Sequence, residues 1–447
     1  GARGAASGDR RRLHLPLRTR AAAAVLLGGM AVHRRLRGRV RAIGRGGDGV
    51  VETEEGVVLV PGVLPGEAVE LELLPPKGGA ARGRLRKVEM PSPGRVDPPC
   101  RHIARCGGCP LMIANSELQR LAKLGFLLDA CRGLPGADEV EARWIPSPRA
   151  LGYRRRARFA WHKDELGYRA LHSKRVADIE ECIVVEDPVA AAWAAVRNDL
   201  RGRLRGDGQI QLERTSDGRV VVALTTRDQQ DPALFAACES LSFATCVAGV
   251  TLRTAESVAA ASWGETELVL GEAADALRGP SGSFSQANDG INLSLVETVV
   301  ELAEPAGLRV LELHAGLGNF TVALAAAAPA ALVAVEQDAK AVDACKQYLH
   351  RRGLYARVTI GDANMPPKGR YDVVVLDPPR QGARELFEQS KVFPGPKRIV
   401  YVSCDTATLG RDLRRAVRFG YRIDRMIGFD MFPQTAHLES LVRLVRV

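Results

Sequence analysis

Cys404 stands where an apolar run ends, in "KRIVYVSCDTATLGRDL" (397–413). The run 399–402 predicts a buried strand, and the residues after Cys404 have the signature of a capped helix start. A thiol at the end of a strand can act as a nucleophile, or it can be an inert packing residue, which is the more common use of a free cysteine. The elements around Cys404 decide between the two.

These elements form an alternating pattern that begins at Gly307. Apolar strands alternate with helical segments, and the strands read "RVLELH", "ALVAVE", "YDVVVLD" and "RIVYVS". The alternation is typical of an α/β fold with a doubly wound parallel sheet, in which ligands bind at the carboxyl edge. We therefore predict a Rossmann-like domain over 281–447, with Cys404 at the ligand-binding edge.

A glycine loop follows the first of these strands, in "VLELHAGLGNF" (310–320). Gly316 and Gly318 allow the backbone to approach a ligand closely, and Glu336 ends the next strand, where a carboxylate can accept bonds from ribose hydroxyls. Thr321 stands near the place of the third glycine of the dinucleotide fingerprint. This difference favours S-adenosylmethionine over NAD as the cofactor. Asp362, after the third strand, adds a polar group where adenine could bind.

The fourth strand ends in "VVVLDPPRQG" (373–382), with Asp377 followed by two prolines. Amino-methyltransferases use a polar residue and two prolines to face a planar base, and they usually place an aromatic residue next. Here Arg380 follows instead. The segment predicts a planar substrate at the sheet edge, but it does not name the atom that is modified.

The position of Cys404 beside such a loop suits methylation of uracil. Carbon 5 of uracil is a poor nucleophile, and a thiolate that adds to carbon 6 activates it. A base must then remove the carbon-5 proton so that the thiol can leave. "PQTAHLES" (433–440) offers His437 and Glu439, and the spacing leaves the choice between them open.

A second group of cysteines lies in "PPCRHIARCGGCP", where Cys100, Cys106 and Cys109 have the spacing C-x5-C-x2-C. In a chain of a reducing compartment these predict metal ligands, and Cys182 is the candidate fourth ligand. Zinc and an iron–sulfur cluster both fit four such ligands. Radical S-adenosylmethionine enzymes use C-x3-C-x2-C, so a structural or sensing cluster is favoured over a radical one.

The patterns over residues 33–280 predict the domains that bind RNA. Short alternating runs broken by glycine over 36–88 predict a small OB-like β-barrel, a fold that often binds oligonucleotides, and we assign it to 33–94. Residues 95–280 form a central α+β domain, in which "YRRRARF" is expected to hold the RNA backbone. A helix over 115–131, with Leu118, Leu121, Leu124 and Leu128 at helical spacing, is expected to pack on the last domain.

The net charge and the composition of the first residues say less about function. The formal charge is +11, but residues 1–41 contain eleven arginines and one acid, so the remaining chain is almost neutral. Residues 1–32 imitate a signal peptide, yet their apolar stretch is short, and we predict a disordered leader upstream of a start at Met30. No membrane-spanning helix is predicted. The expected protein is a cytoplasmic monomer.

Taken together, these segments resemble the bacterial RNA uracil-5-methyltransferases, most closely the type that modifies ribosomal RNA. The matching pieces are the N-terminal barrel (the TRAM domain of that family), "CRHIARCGGC" with Cys182, "GSFSQAN", "LHAGLGNF", "LDPPRQG", "YVSCD" and "HLES". They span 33–447. His314 stands where the family usually has an aromatic residue, and Gln434 where it usually has histidine.

The resemblance implies roles for individual residues. It implies Cys404 as the nucleophile and Glu439, not His437, as the base. It implies a [4Fe–4S] cluster on Cys100, Cys106, Cys109 and Cys182. The methyl-donor and base site would be lined by Gln286, His314, Asn319, Glu336, Asp362 and Asp377.

Two other functions compete with this interpretation. An amino-methyltransferase acting on adenine or glutamine would not need Cys404. A non-catalytic RNA-binding or RNA-chaperone module would not bind S-adenosylmethionine. Within the leading interpretation the substrate is a uridine of 23S ribosomal RNA, with a transfer-RNA uridine as the alternative.

Overall fold

The computed structural model describes residues 34–76, 79–254, 260–271, 276–389 and 395–447. The leader predicted for 1–32 lies outside these residues. Within them the chain forms a closed barrel, a mixed sheet with two helices, a small hairpin and a large sheet flanked by helices. No helix in this part of the chain is long and apolar enough to cross a membrane.

The predicted N-terminal barrel is confirmed. Its five strands close in the order β1-β2-β3-β5-β4, with bounds Arg35–Ile43 (β1), Gly49–Thr53 (β2), Gly56–Val60 (β3), Ala68–Leu73 (β4) and Ala81–Met90 (β5). In β1, Leu36 and Val40 point into the core, and the four arginines of the strand face outward. Three of these arginines pair with barrel glutamates (Arg35 with Glu70, Arg37 with Glu89, Arg41 with Glu52). Much of the positive charge of β1 is therefore already balanced.

The helix after the cysteine segment is α1, Ser116–Cys131, and the Asn115 side chain caps it by accepting from the amide of Leu118. It packs against the large sheet and its last long helix, with Leu127 and Cys131 in their common core. The predicted buried face is wrong in part, because Leu121 and Leu128 are exposed. The buried face instead includes Gln119 and Lys123, since the loop that α1 covers offers polar partners.

The middle of the chain forms a seven-stranded sheet covered by two helices. The strand order is β13-β12-β11-β10-β7-β8-β9, all antiparallel except β11 with β12, and β14 pairs with β15 in a separate hairpin. The core includes Phe159 stacked on Trp193 at 3.8 Å between ring centroids. The bounds are Arg156–His162 (β7), Glu165–Arg169 (β8), Val176–Asp178 (β9), Asp187–Leu200 (α2), Asp207–Arg214 (β10), Val220–Thr226 (β11), Pro232–Ser242 (α3), Val247–Arg253 (β12), Ala261–Gly264 (β13), Glu267–Leu270 (β14) and Leu277–Pro280 (β15).

The predicted doubly wound sheet is confirmed in the last part of the chain. Five parallel strands are extended by β22 and β21, in the order β18-β17-β16-β19-β20-β22-β21-β6. The bounds are Asp289–Ala303 (α4), Arg309–Leu313 (β16), Thr321–Ala326 (α5), Ala331–Glu336 (β17), Ala339–Arg351 (α6), Arg357–Ile360 (β18), Val373–Leu376 (β19), Arg384–Gln389 (α7), Arg398–Ser403 (β20), Thr406–Ala416 (α8), Tyr421–Phe429 (β21) and Glu439–Arg446 (β22).

One strand of this sheet comes from much earlier in the chain. The strand β6, Arg143–Ile145, pairs in parallel with β21. It lies in the range 95–280 that the sequence assigned to the central domain, so the structure differs from a simple division at 280. Three residues are too few to show a periodic pattern, and nothing local marks this short segment as part of the large sheet.

Candidate active site

Cys404 and Glu439 are brought together by the pairing of β20 with β22. The ladder ends with Val402 opposite Leu441 and Ser403 opposite Ser440, and continuing this register by one position brings Cys404 next to Glu439, whose carboxylate is close enough to raise the pKa of the thiol. Facing residues of an antiparallel pair have Cβ atoms about 4.5–5.5 Å apart on one side of the sheet. The Ser440 hydroxyl donates to the carbonyl oxygen of Ser403 at 3.1 Å, which fixes this end of the ladder.

The helix start predicted after Cys404 is also present. The Asp405 side chain accepts from the amides of Ala407 and Thr408 at 2.9 and 2.8 Å, so α8 begins directly beyond the thiol. A strand that turns at once into a helix keeps Cys404 on the carboxyl edge of the sheet. Asp377 follows β19, the parallel neighbour of β20, at the same edge.

The charges around the thiol set its protonation. Burial raises the pKa of Cys404 to about 12, the Glu439 and Asp377 carboxylates add to the increase, and the Arg380 guanidinium opposes it. Burial raises the pKa of Asp377 to about 7 and also raises that of Glu439, whose carboxyl lies close to Asp377. Two buried carboxyl groups at one edge cannot both ionise easily, so the pair retains a proton near neutral pH.

His437, the other candidate base, lies on the same side. Burial, together with the guanidinium groups of Arg380 and Arg154, lowers the pKa of His437 to about 4. The imidazole is therefore neutral at neutral pH, and its ring lies 6.0 Å from that of Phe432 between centroids. Both candidate bases thus remain near Cys404, and only Glu439 is fully buried opposite the thiol.

A cavity of about 590 Å³ lies beside this edge. Its volume is in the range of cofactor sites, which are about 300–1,000 Å³. Six of the eight residues predicted to bind the cofactor line it, namely Gln286, His314, Gly316, Gly318, Asn319 and Asp377. Glu336 and Asp362 are not in its wall. Glu336 is the last residue of β17 and Asp362 comes shortly after β18, at the same edge, and both are close enough to His314 to influence its pKa.

The glycine loop has the conformation that its sequence predicts. Gly316 and Gly318 have φ values of +56° and +97°, and a Cβ on Gly318 would lie 2.7 Å from the Cys345 sulfur. The Glu336 carboxylate accepts from the amide of Gly316 at 2.9 Å, so it reaches the loop although it does not line the cavity. Asn319 exchanges two 2.9 Å hydrogen bonds with Asn292 of α4. These contacts keep the loop open toward the cavity.

Sequence reasoning missed Glu312, which lies in β16 under the glycine loop. Its side chain is buried, and the hydroxyl and amide of Thr321 are the groups that favour its charged form. Burial raises its pKa to about 8, and Asp377 and Glu336 add to the increase. An acidic residue inside the apolar run "VLELH" was the available signal. His314, two residues on, has φ +64° and a buried Nε2 without a partner.

The four cysteines of the second group line one cavity of about 310 Å³, and Cys404, Arg380 and His437 line it as well. Burial raises the pKa of Cys106 to about 11 and that of Cys109 to about 12. The nearby Cys182 thiol adds to the increase at both residues. Burial also raises the pKa of the Cys182 thiol, and the buried Tyr168 hydroxyl beside it lowers that pKa by a smaller amount. In the described ranges no three His, Cys, Asp or Glu side chains form a group that could hold a metal ion.

The arginine-rich segment 154–158 is divided between interior and surface. Arg155 is buried and bonded to Glu213 and Ser285, both at 3.1 Å, so it is an internal structural residue. Arg158 is exposed, and Arg156 stacks over the exposed ring of Phe284 at 4.8 Å. The expectation that the whole segment contacts RNA is therefore wrong for Arg155, whose charge is used by the fold.

The fold and the site define a class of protein. A Rossmann-like sheet, a glycine loop opening on a cofactor-sized cavity and an Asp-Pro-Pro segment at the same edge are the features of a methyltransferase. The family model "Methyltransferase small domain" matches residues 277–391, and "tRNA (Uracil-5-)-methyltransferase" matches 368–447.

Comparison with curated proteins narrows the class. The chain is 33% identical over 417 residues to "23S rRNA (uracil(1939)-C(5))-methyltransferase RlmD" of Shewanella piezotolerans, covering 88% of this chain and 92% of the relative. The Pectobacterium atrosepticum protein of the same name is 34% identical over 412 residues, at 88% and 90% coverage. The chain belongs to the RNA uracil-C5-methyltransferase family.

A solved structure shares the fold. The Pyrococcus abyssi tRNA (uracil-54, C5)-methyltransferase, determined with S-adenosyl-L-homocysteine, superposes with a TM-score of 0.69. It is 24% identical, and the match covers 92% of this chain and all of the other. At this identity the likeness shows that the two chains share a fold.

Proposed function

We propose that the chain methylates carbon 5 of a uridine in 23S ribosomal RNA, using S-adenosylmethionine, with Cys404 as nucleophile and Glu439 as base. The observation that carries the proposal is the register of β20 and β22, which sets the thiol opposite a buried carboxyl at the carboxyl edge. An amino-methyltransferase has no use for that pair. The names of the curated relatives support the choice of RNA.

The residues at the edge divide the chemistry between them. The Cys404 sulfur forms a bond to carbon 6, and the electrons of the 5,6 double bond move onto the carbonyl system, which makes carbon 5 nucleophilic. Arg380 favours the thiolate that this step needs, because its charge lowers the pKa of the thiol. After methylation Glu439 takes the carbon-5 proton, the double bond reforms, and the carbon–sulfur bond breaks to release Cys404.

The cofactor cavity fits S-adenosylmethionine. The glycine loop leaves room for the backbone to approach the ligand, and Gln286, Asn319 and Asp377 would supply polar contacts. Glu336 and Asp362, at the ends of the next two strands, would contact the ribose and the adenine. When bound, the sulfonium supplies an electrophilic methyl group. His314 in place of the usual aromatic residue adds a neutral polar ring to that wall, since burial lowers its pKa.

We propose that Cys100, Cys106, Cys109 and Cys182 hold a [4Fe–4S] cluster. The donor set fits, because four cysteines share one cavity and the buried Tyr168 hydroxyl lies against the Cys182 thiol, where it can donate to a cluster sulfur. A single zinc ion would use the same four thiolates, so metal analysis has to separate the two. The described residues offer no second redox centre, and we propose a positioning role for the cluster.

The cluster proposal is tested by metal analysis of protein purified without oxygen. We expect a brown protein with about four iron and four sulfide per chain, from the cluster stoichiometry. Cys182→Ser should lose most of the iron, and Cys246→Ser, outside the cavity, should lose none. Stoichiometric zinc in a colourless protein would contradict the cluster.

The covalent step is tested with RNA that contains 5-fluorouracil in place of uracil. Fluorine cannot leave as a cation, so methylation should stop with the protein still attached to carbon 6. A denaturing gel should show a protein–RNA band that requires S-adenosylmethionine, and Cys404→Ala should abolish both the band and turnover. Absence of a Cys404-dependent band would refute the covalent mechanism.

A companion experiment assigns the base. Glu439→Gln keeps the nucleophile and impairs only proton removal, so it should accumulate the covalent band even on ordinary uridine. Its turnover should fall on the order of 10²–10⁴-fold, the usual contribution of a general base. His437→Ala is the matched variant and should turn over without trapping the adduct. The reverse outcome would make His437 the base.

The RNA substrate is tested by mass spectrometry of ribosomal and transfer RNA from cells that lack the gene. We expect one 5-methyluridine to disappear from 23S ribosomal RNA and the transfer RNA to be unchanged. If 5-methyluridine disappears only from transfer RNA, the substrate is a transfer-RNA uridine and the proposed chemistry is unchanged. The barrel of 33–94 and the cysteine-bearing domain of 95–280 would present the RNA to the methyltransferase domain of 281–447.

A further inference from the structure

The nine residues 430–438 that join β21 to β22, here the hairpin loop, are held by four separate parts of the chain. Four consecutive carbonyl oxygens of the loop accept from side chains or amides that are distant in sequence. The pairs are Met431 with Asn288 (3.4 Å), Phe432 with Lys123 (2.9 Å), Pro433 with Tyr153 (3.1 Å) and Gln434 with Leu111 (2.9 Å). A surface turn needs no such support, so the conformation of this loop is specified by its surroundings.

Lys123 of α1 makes a charged contact with Asp430 of the loop, and the Asp430 side chain is 17% exposed. Its ammonium group lies 2.7 Å from the Asp430 carboxylate and donates to the Phe432 carbonyl at 2.9 Å. The Lys123 side chain is wholly buried, whereas a lysine normally reaches water. A buried ion pair is weak evidence for stability, because desolvation offsets much of its attraction. Its use is more readily explained by the geometry that it imposes.

Gln119 lies one helical turn before Lys123 and fixes the other half of the loop. Its amide group donates to the Gln434 side chain at 3.0 Å and its oxygen accepts from the Gln434 amide at 2.9 Å. Gln434 has φ +70°, a conformation that costs energy for a residue with a Cβ. The two-way bond to Gln119 keeps Gln434 in this conformation. Residues 119 and 123 are four apart, so one face of α1 makes both contacts.

The loop that these residues hold is a wall of the nucleophile's cavity. Phe432, Thr435 and His437 line the cavity that also contains Cys404, and the loop leads directly into Glu439, the first residue of β22. We infer that Lys123 and Gln119 are positioning residues, which hold the hairpin loop against the target uridine while it reacts with Cys404. This inference rests on the proposed function. It adds two residues of α1, a helix remote in sequence from the reacting groups, to the determinants of the reaction.

The test separates positioning from stability. Lys123→Met leaves Asp430 without its partner and should lower the midpoint of thermal unfolding. Asp430→Asn in the same chain removes that charge, so the double variant Lys123→Met/Asp430→Asn should regain much of the lost stability but still lack the bond to Phe432. Gln119→Leu removes the second contact. Arg120→Gln is the matched control, because Arg120 lies on the same helix and, among the described residues, pairs only with the exposed Glu117.

The readouts are the rate of covalent attachment to 5-fluorouracil RNA, the KM for RNA, and the affinity for S-adenosylmethionine by titration calorimetry. A misplacement on the order of 1 Å can cost roughly 100-fold, so the double variant and Gln119→Leu should form the adduct roughly 10- to 100-fold more slowly than wild type. Their affinity for S-adenosylmethionine should be unchanged, since neither residue lines the cofactor cavity. Arg120→Gln should match wild type in all three.

A double variant that regains its stability and forms the adduct at the wild-type rate would overturn the inference. Equal losses in cofactor affinity and adduct rate would overturn it too, because they would reflect general unfolding. If wild-type protein itself forms no Cys404-dependent adduct, the proposed function fails first. The two failures are therefore distinguishable in one series of measurements.

Discussion

Replacing Glu312 with glutamine should stabilise the protein at neutral pH and not at acid pH. Glu312 is buried beneath the glycine loop, and this burial outweighs the hydroxyl and amide of Thr321, which favour the charged carboxylate. Burial raises its pKa to about 8, against 4.5 for an unperturbed side chain. Between these two values the folded protein keeps the proton and the unfolded chain releases it. The free energy of unfolding therefore falls as the pH rises through this range.

The size of the effect follows from the two pKa values. The free energy of unfolding falls by about 1.4 kcal/mol for each pH unit above 4.5, until the pH reaches the pKa of Glu312 in the folded protein. At pH 7 the total loss is about 3 kcal/mol. Glutamine has the same shape and no proton to release. Any constant cost of burying its amide is the same at every pH, so the change of stability with pH isolates the carboxyl group.

The assay is thermal unfolding of wild type and Glu312→Gln from pH 4.5 to pH 8. A domain of 150–250 residues gains roughly 2–4 °C per kcal/mol, so the variant should gain roughly 6–12 °C on wild type between pH 4.5 and 7. Glu301→Gln, at an exposed position of α4, is the control and should show no such trend. A difference between wild type and Glu312→Gln that stays constant with pH would show that Glu312 is ionised in the folded protein, and would refute the reasoning.

Two further predictions concern the carboxyl pair and the glycine loop. Asp377→Asn removes the charge that raises the pKa of Glu439, so the acid limb of kcat/KM, which rises as the base ionises, should move to lower pH. A limb that stays in place would mean that the two carboxyl groups do not interact. Gly318→Ala should weaken S-adenosylmethionine binding and lower the unfolding midpoint, because its φ is +97° and its Cβ would meet the Cys345 sulfur at 2.7 Å. Gly316→Ala, with open space around its Cβ, should be the milder change, and equal effects would contradict the packing argument.

Much of the site could be predicted from sequence because the residues lie at strand ends. In a parallel sheet the carboxyl ends of all strands share one edge, so the glycine loop, Asp377 and Cys404 had to converge once their strands were recognised. The same reasoning places Glu336 and Asp362 at that edge. It does not decide whether they line the cavity, and the structure leaves both outside its wall. The order of the strands predicts which strand ends are adjacent, but the direction in which each side chain points depends on packing.

The predictions that failed concern places where distant segments of the chain meet. Leucine spacing in α1 indicated a leucine face, but the face that packs is set by what it covers, and the hairpin loop selects Gln119 and Lys123. Arg155 looked like its neighbours in "YRRRARF" and is buried against Glu213, which lies 58 residues away. Such partners leave no periodic trace near the residue itself, so local patterns could not find them.

By itself, the sequence determined the alternating strands and helices, the barrel, the glycine loop and the identity of the thiol and the acids, since these depend on local periodicity and residue type. The tertiary structure decided which of them act together. It set Cys404 opposite Glu439 through an antiparallel register, and it brought Cys182 and Cys404 to the cavity of Cys100, Cys106 and Cys109. Register and cavities arise from contacts between residues that are far apart in the chain, and burial at those contacts is what shifts the pKa of the thiol and the carboxyl groups.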